Sequence, residues 1–221
     1  MPLGTMSGTH TAMSTHAIIP NEYASLSVSG CHTYILPGFF ELFPAINSSA
    51  RILDVGCGNG SVTAQVAGRG GKIIGVDMSE SGIQLARRNC PTARFEVLPA
   101  DANLLRNLDE EPFDVVYSLE VIEHLYQVPS FIEGCFAATR RGGTFICSTP
   151  YHGYAKNLMI ALTDGWDRHH SSGVDGEHIQ FFSRKSLSRL LEKIGFRNLK
   201  FRGTGRAPYL WKSMLISGVR P

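Results

Sequence analysis

The residues with the clearest chemical pattern are three glycines in one short loop and an acidic residue that follows them. The loop Gly56-Cys57-Gly58-Asn59-Gly60 comes after an apolar run at residues 51–55 and before a helical pattern at residues 61–67. Glycines at a strand-to-helix turn permit a tight bend and let the backbone approach a ligand that a Cβ atom would exclude. Asp77 follows the next apolar run, at residues 72–76, where its carboxylate can accept hydrogen bonds from both hydroxyls of a ribose. The pattern predicts a nucleotide-type cofactor site.

Two details of the loop distinguish between the cofactors that use this arrangement. The spacing is G-x-G-x-G, and Ser61 stands where the dinucleotide pattern G-x-G-x-x-G has its last glycine. Asp54 lies just before the loop, where a carboxylate would repel a pyrophosphate but attract a cation. S-adenosylmethionine carries an ammonium and a sulfonium group and no phosphate, so the charge pattern favours it as the cofactor. An NAD-dependent oxidoreductase is the enzymatic alternative.

A second group with chemical potential follows a buried-type apolar run at residues 113–118. Glu120, Glu123 and His124 have the spacing i, i+3 and i+4, which places them on one face if this stretch is helical. Two carboxylates and an imidazole on one face could bind a divalent metal ion that lowers the pKa of an acceptor hydroxyl. The alternative is that these side chains only brace the floor of an active site.

These segments, in this order, resemble the motifs of class I S-adenosylmethionine-dependent methyltransferases. The resemblance rests on LDVGCGNG at residues 53–60, GVDMS at 75–79, AD at 100–101 and FDVVYSLEVIEHL at 113–125. It covers about residues 50–150. The stretch at residues 120–124 closely resembles the segment of ubiquinone-biosynthesis O-methyltransferases that carries their divalent metal ligands.

The resemblance implies a role for several residues in holding S-adenosylmethionine. Gly56 and Gly58 would line its methionine part, Asp77 would hold the ribose, and Asp101 with Ala102 would face the adenine amino group. Asp101 could equally cap the helix that begins near Asn103. The full set of predicted cofactor-binding residues is Asp54, Gly56, Cys57, Gly58, Asp77, Met78, Asp101, Ala102 and Leu119.

The methyl acceptor is expected beyond the carboxyl ends of the strands. The segment at about residues 150–179 has no clear period and is predicted to be an insertion that reaches this region. Its aromatic residues Tyr151, Tyr154 and Trp166 could wall an aromatic or apolar small-molecule acceptor. The acceptor is not expected to be a nucleic acid, because the net charge is only +2 and the basic residues are scattered.

Histidines are the candidate bases for taking a proton from the acceptor. His152 and His124 are the leading candidates and His169 and His170 the weaker ones. For each of them the alternative is a structural or solvated histidine. His178 is expected to fasten the insertion to the core rather than to act in catalysis.

Around these residues, short β-type runs alternate with helical patterns, which predicts an α/β fold with a mostly parallel sheet. The resemblance specifies a Rossmann-like, doubly wound sheet of seven strands with an antiparallel last strand. Predicted strands occupy residues 51–55, 72–76, 93–98, 113–118, 144–148, 197–202 and 212–219. Predicted helices occupy residues 37–46, 61–67, 80–89, 129–139 and 184–194.

The length of 221 residues favours one domain, predicted at residues 21–221 after a flexible leader at residues 1–20. Five cysteines without a CxxC pair argue against a disulfide framework or a structural zinc site. No apolar run approaches the roughly 20 residues of a transmembrane helix. The expectation is a cytoplasmic monomer or homodimer.

The preferred hypothesis is a methyltransferase that acts on a phenolic or other hydroxyl of a small molecule. An N- or C-methyltransferase of a specialised metabolite is the second, because a fold does not define the acceptor. A cofactor-binding protein without catalysis is the third.

Overall fold

The structure is a computed structural model that describes residues 30–169 and 177–221. The predicted leader at residues 1–20 and His170 lie outside the described residues. The described helices and the single 3-10 turn are α1 (His32–Leu42), α2 (Ser61–Ala67), α3 (Glu80–Asn89), α4 (Leu104–Leu108), the turn Ile122–His124, α5 (Val128–Ala138), α6 (Tyr154–Leu162), α7 (Trp166–His169) and α8 (Arg184–Ile194).

Seven strands form one sheet in the order β3-β2-β1-β4-β5-β7-β6. They are β1 (Arg51–Val55), β2 (Lys72–Asp77), β3 (Arg94–Val97), β4 (Phe113–Leu119), β5 (Thr139–Pro150), β6 (Arg197–Thr204) and β7 (Ser213–Val219). Strands β1 to β5 pair in parallel, and β7 lies antiparallel between β5 and β6. The predicted fold, including the antiparallel last strand, is confirmed.

The strand order reverses between β1 and β4, and this reversal defines the region of the site. The chain runs outward from β1 to β3 and then returns to β4 on the other side of β1. Loops at the carboxyl ends of β1 and β4 therefore diverge and leave a crevice, which is where open α/β sheets bind ligands.

The strands are apolar along their whole length because both faces of the sheet are covered. Leu53 of β1 and Val116 of β4 belong to the hydrophobic cluster that includes α5 and α8, whereas Ile52 and Val115 belong to the cluster that includes α1 and α2. Alternate residues thus pack on opposite faces, as in a doubly wound sheet.

Two sequence-based boundaries differ by five residues from the structure. The first helix begins at His32 rather than at residue 37 and contains Pro37, because Ile35 and Phe39 are fully buried and their packing outweighs the lost backbone hydrogen bond. Strand β5 begins at Thr139 rather than at residue 144; Gly142 adopts a φ of 73° within it, where the pairing with β4 is irregular.

The segment at residues 150–179 also contains regular structure that the sequence pattern did not predict. Helix α6 has only Ile160 buried, while Leu158, Met159 and Leu162 are exposed. Because apolar residues also lie on the solvent side, they do not recur with a helical period, and the sequence pattern therefore does not predict this helix. The short α4 corresponds to the helix near Asn103 that the sequence offered as an alternative role for Asp101. Among the described residues, no helix has the length and apolar character to span a membrane.

Candidate active site

The glycine loop adopts a backbone conformation that requires glycine. Gly56, Gly58 and Gly60 have φ values of 78°, 51° and 72°, in the left-handed region that other residues disfavour. A Cβ atom on Gly60 would lie 2.8 Å from the Cα atom of Ala86 in α3, and one on Gly56 would collide with Val121. The loop therefore turns tightly between β1 and α2 while two other segments pack directly against it.

Asp77, at the end of β2, is hydrogen-bonded to this loop. Its Oδ2 atom accepts from the Gly58 amide at 2.8 Å, and its Oδ1 atom accepts from the Ser79 amide at 2.8 Å. Burial raises the pKa of this carboxyl, and the two amide donors oppose that shift. The arrangement holds the carboxylate in place beside the crevice.

Asp54 is buried beneath the loop, with 3% of its surface exposed. Its Oδ2 atom accepts hydrogen bonds from the Thr63 hydroxyl at 2.6 Å and the Tyr117 hydroxyl at 2.8 Å. Burial raises the pKa of Asp54 to about 7, although both hydroxyl donors lower it. A cation bound beside the loop would stabilise the charged form, so the residues present fit a cationic cofactor.

Asp101 has the geometry of a turn residue at the start of α4. Its Oδ1 atom accepts from the Asn103 amide at 2.8 Å, and its carbonyl oxygen accepts from the Leu104 amide. The Ala102 amide donates to Ser130 of α5, and a Cβ atom on Gly134 would collide with the Asp101 carbonyl. The capping interpretation describes the observed contacts, and the adenine contact stays a prediction.

The other predicted cofactor-binding residues lie at the same edge of the sheet. Cys57 is a buried thiol whose pKa is raised well above the ordinary range by burial. Leu119 is the last residue of β4 and is 7% exposed, and Met78 follows directly after Asp77. The glycine loop, the carboxylates of Asp54 and Asp77 and the apolar side chain of Leu119 together suit S-adenosylmethionine.

Residues 120–124 do not form the helix on which a shared face of Glu120, Glu123 and His124 would depend. Only Ile122–His124 form a single 3-10 turn, and Glu120 has a φ of 54°. This left-handed residue directs Glu120 away from the turn: its Oε1 atom accepts from Ser148 at 2.8 Å and its Oε2 atom from Ser213 at 3.1 Å. Burial raises the pKa of Glu120 to about 7.

Glu123 and His124 instead meet His178. One potential ligand atom from each of these residues lies within 4.8 Å of the others. The rings of His124 and His178 are 5.0 Å apart, and Nε2 of His178 is 4.0 Å from Oε1 of Glu123. Backbone hydrogen bonds also hold the two segments together, because the amides of Ile179 and Gln180 both donate to the Glu123 carbonyl oxygen.

The Glu123 carboxyl is the member of this group whose environment calls for a partner. It is fully buried, and within the described chain neither of its oxygens accepts a hydrogen bond of good geometry. Burial and the nearby Glu120 raise the pKa of Glu123 well above the ordinary range. A buried carboxyl without donors is unusual, and two imidazoles beside it complete a donor set that suits a divalent transition metal.

The remaining candidates from the sequence are dispersed. His152 is half-buried against the Phe181 ring at 4.9 Å, and Nδ1 of His169 lies 2.9 Å from the Gly165 carbonyl oxygen. Tyr151 packs in the core against Trp211, whereas 84% of Tyr154 and 57% of Trp166 are exposed. Tyr151 is thus a core residue rather than a wall of an open pocket.

Sequence reasoning missed the partners that organise the buried carboxyls. Tyr117 and Thr63 bind Asp54, and Ser148 and Ser213 bind Glu120 from β5 and β7. Only Tyr117 lies in one of the motifs named above, at residues 113–125. A hydroxyl in an otherwise apolar strand is the signal that could have identified it. Lys156 of α6 was also missed; burial lowers its pKa to about 8.

The fold is shared with solved S-adenosylmethionine-dependent methyltransferases. The family described as "Methyltransferase domain" matches residues 32–200, and the chain belongs to that family. A solved "SAM dependent methyltransferase from Archaeoglobus fulgidus" has a TM-score of 0.63 at 16% identity, covering 84% of this chain and 93% of the other.

Two curated relatives differ in the process for which they are named. The "Ubiquinone biosynthesis O-methyltransferase" of Maricaulis maris is 39% identical over 101 residues, which is 45% of this chain and 40% of that protein. The "Biotin biosynthesis bifunctional protein BioHC" of Cellvibrio japonicus is 28% identical over 185 residues, which is 83% of this chain and 35% of that protein. The matched regions thus span less than half the length of either relative.

Proposed function

We propose that the protein transfers the methyl group of S-adenosylmethionine to a hydroxyl, preferably a phenolic one, of a small molecule. The observation that carries this proposal is the group formed by buried Glu123, half-buried His124 and exposed His178, which follows the carboxyl end of β4. An oxygen acceptor needs its proton removed or its pKa lowered before it becomes a good nucleophile. This group can do either, with His124 as a base or with all three residues as ligands of a metal ion. Similarity to ubiquinone-biosynthesis O-methyltransferases supports the same acceptor chemistry.

The donor side of the site would act by positioning. S-adenosylmethionine, when bound, supplies a methyl group on a positively charged sulfur. Asp77 would accept hydrogen bonds from its ribose, and the glycine loop would admit its methionine part close to the backbone. Asp54 would stabilise the positive charge. Because methyl transfer is an in-line displacement, orientation provides much of the rate enhancement.

On the acceptor side, His124 is the better placed of the two candidate bases. Its Nδ1 atom is buried without a hydrogen-bond partner in the described residues, and its ring lies beside Glu123. Transfer would break the acceptor O–H and the methyl C–S bonds and form an O–CH3 bond, with the proton passing to His124. His152 is the second candidate.

A divalent metal ion fits the same group. Glu123, His124 and His178 would hold it, and the ion would supply charge that lowers the pKa of the acceptor hydroxyl. Glu120, which the sequence pattern included among the ligands, is bonded to two serines instead.

Methyl transfer from radiolabelled S-adenosylmethionine to matched acceptors tests the proposal. Catechol, aniline and an activated methylene compound such as acetylacetone offer oxygen, nitrogen and carbon. We expect transfer to catechol with a rate that rises with pH, and a loss of at least 10-fold in the variant His124→Ala. Transfer to nitrogen or carbon with none to oxygen would replace the proposal with N- or C-methylation, and binding of S-adenosylhomocysteine without transfer to any acceptor would indicate a non-catalytic protein.

A further inference from the structure

Three basic residues lie around the carboxyl ends of β4 and β5, where the methyl acceptor is proposed to bind. This region is called the acceptor edge, and the three residues have no acidic partner there among the described residues. Lys156 projects from α6, and Arg206 and Lys212 lie in the connection between β6 and β7. None of them forms an ion pair within residues 30–169 and 177–221. The Lys156 ammonium donates one long hydrogen bond, 3.4 Å, to the Lys212 carbonyl oxygen, and the Lys212 ammonium lies 5.0 Å from the centre of the Tyr34 ring.

Contacts connect these cations with the region of Glu120: Lys156 contacts the Lys212 carbonyl oxygen, and the Lys212 ammonium lies over the Tyr34 ring. Ser213, which donates a hydrogen bond to Glu120, is in turn the partner of Tyr34. Burial and, to a smaller extent, the nearby Arg206 lower the pKa of Lys156 to about 8, while Glu120 opposes the shift. The pKa of Tyr34, which hydrogen-bonds with Ser213, is raised by the nearby Glu120 and lowered by the nearby Arg206. The cations and Glu120 therefore face one another across the ends of α1, β4 and β7.

Glu120 does not balance the three positive charges. It carries at most one negative charge, and its pKa of about 7 means that it is partly protonated at neutral pH. At least two positive charges are left in surplus, one of them on the half-buried Lys156. Burying an ammonium without a counter-charge is unfavourable, so the site is more stable when an anion is present.

We propose that Lys156, Arg206 and Lys212 bind an anionic group, a carboxylate or a phosphate, of the methyl acceptor. The inference rests on the proposed function, because it assigns the acceptor to the edge that contains Glu120. The acceptor is then a small hydroxylated anion whose charged end contacts the three cations while its hydroxyl points towards the methyl donor. Guanidinium and ammonium groups bind carboxylates and phosphates through charge-assisted hydrogen bonds.

Binding to the protein saturated with S-adenosylhomocysteine tests this inference without requiring turnover. Calorimetry in a phosphate-free buffer would compare benzoate with its neutral counterpart benzamide. We expect benzoate to bind at least 10-fold more tightly. The double variant Lys156→Met/Arg206→Met should lose this preference and still bind S-adenosylhomocysteine, whereas the control Lys193→Met, an exposed lysine of α8, should keep it. Equal binding of the two compounds, no binding of benzoate, or a preference that survives in the double variant would overturn the inference.

Phenyl phosphate in the same titration distinguishes the two kinds of anion. Tighter binding of phenyl phosphate than of benzoate would assign a phosphate-bearing acceptor, and the reverse a carboxylate-bearing one.

Turnover separates this inference from the proposed function. We expect kcat/KM for 3,4-dihydroxybenzoate to exceed that for its methyl ester by at least 10-fold in the wild type and by less than 3-fold in the double variant. Equal methylation of acid and ester would retain O-methylation and overturn the anion site. Preferred binding of benzoate without transfer to any hydroxyl would retain the anion site and overturn O-methylation.

Discussion

The hydroxyl of Tyr117 donates a hydrogen bond of 2.8 Å to Oδ2 of Asp54, from the strand next to the one that carries the aspartate. Both residues are buried, and the Tyr117 ring packs 5.1 Å from Phe39 of α1. The tyrosine therefore orients the carboxylate beneath the glycine loop and helps it to ionise.

Replacing Tyr117 by phenylalanine should weaken cofactor binding and shift its pH dependence. Asp54 must be ionised to attract the ammonium group of S-adenosylhomocysteine, so affinity should rise as pH increases through about 7. Loss of the hydroxyl donor raises the pKa of Asp54 and should move this rise to higher pH. With about 1 kcal/mol for the hydrogen bond, the pKa of Asp54 rises by about 0.7 units, and affinity at pH 7 should fall by roughly 3-fold. Calorimetry between pH 5.5 and 8.5 measures both effects, with the exposed Tyr126→Phe as control; an unshifted profile would contradict the prediction.

Replacing Asp54 by asparagine should remove a pH-dependent loss of stability. The pKa of Asp54 is raised from 3.8 to about 7 in the folded chain, so the folded protein binds more protons than the unfolded one between these values. The free energy of unfolding should therefore decrease as pH rises from about 4 to about 7, by up to about 4 kcal/mol from this residue. Urea unfolding at pH 5 and pH 8 should show a smaller decrease for the variant. An identical decrease in both proteins would remove Asp54 as its source.

Metal binding should depend on His178 and not on Glu120. The structure places His178 with Glu123 and His124, whereas Glu120 is bonded to Ser148 and Ser213. After equilibration with Zn²⁺ and desalting, we expect the wild type and Glu120→Gln to retain about one ion per chain and His178→Ala to retain at least 10-fold less. Loss of metal in Glu120→Gln with retention in His178→Ala would support the ligand set that the sequence pattern predicted.

Replacing Gly134 by alanine should disturb the loop that carries Asp101. The added Cβ atom would overlap the Asp101 carbonyl oxygen, a backbone atom that moves only with its loop. Overpacking of this kind costs about 1–3 kcal/mol, and we expect a higher KM for S-adenosylmethionine as well. Gly68→Ala is the matched control, because Gly68 has a φ of −61° and its nearest neighbouring atom would be 3.5 Å away. If both variants unfold at the same temperature, the close approach of α5 to this loop is unimportant.

The sheet and the turn of the glycine loop were predictable because their signals are local. Buried parallel strands read as apolar runs, and the turn at Gly56, Gly58 and Gly60 is contiguous in sequence. The acceptor side depends on contacts between distant segments. Glu120 finds its partners at Ser148 and Ser213, and its left-handed backbone separates it from Glu123, although the spacing of the two residues suggests a shared helical face. Lys156 was missed for a related reason, because the helix that carries it exposes apolar residues and lacks a clear period.

The position of β7 between β5 and β6 has a consequence for synthesis on the ribosome. Strands β1 to β5 can pair as they emerge, but β6 has no direct partner until residues 213–219 follow it. Until then β5 presents an unpaired edge, and Glu120 lacks the serine that binds one of its two oxygens. The donor half of the site can thus form before the acceptor half, and a nascent chain interrupted before Ser213 would expose a strand edge that invites aggregation.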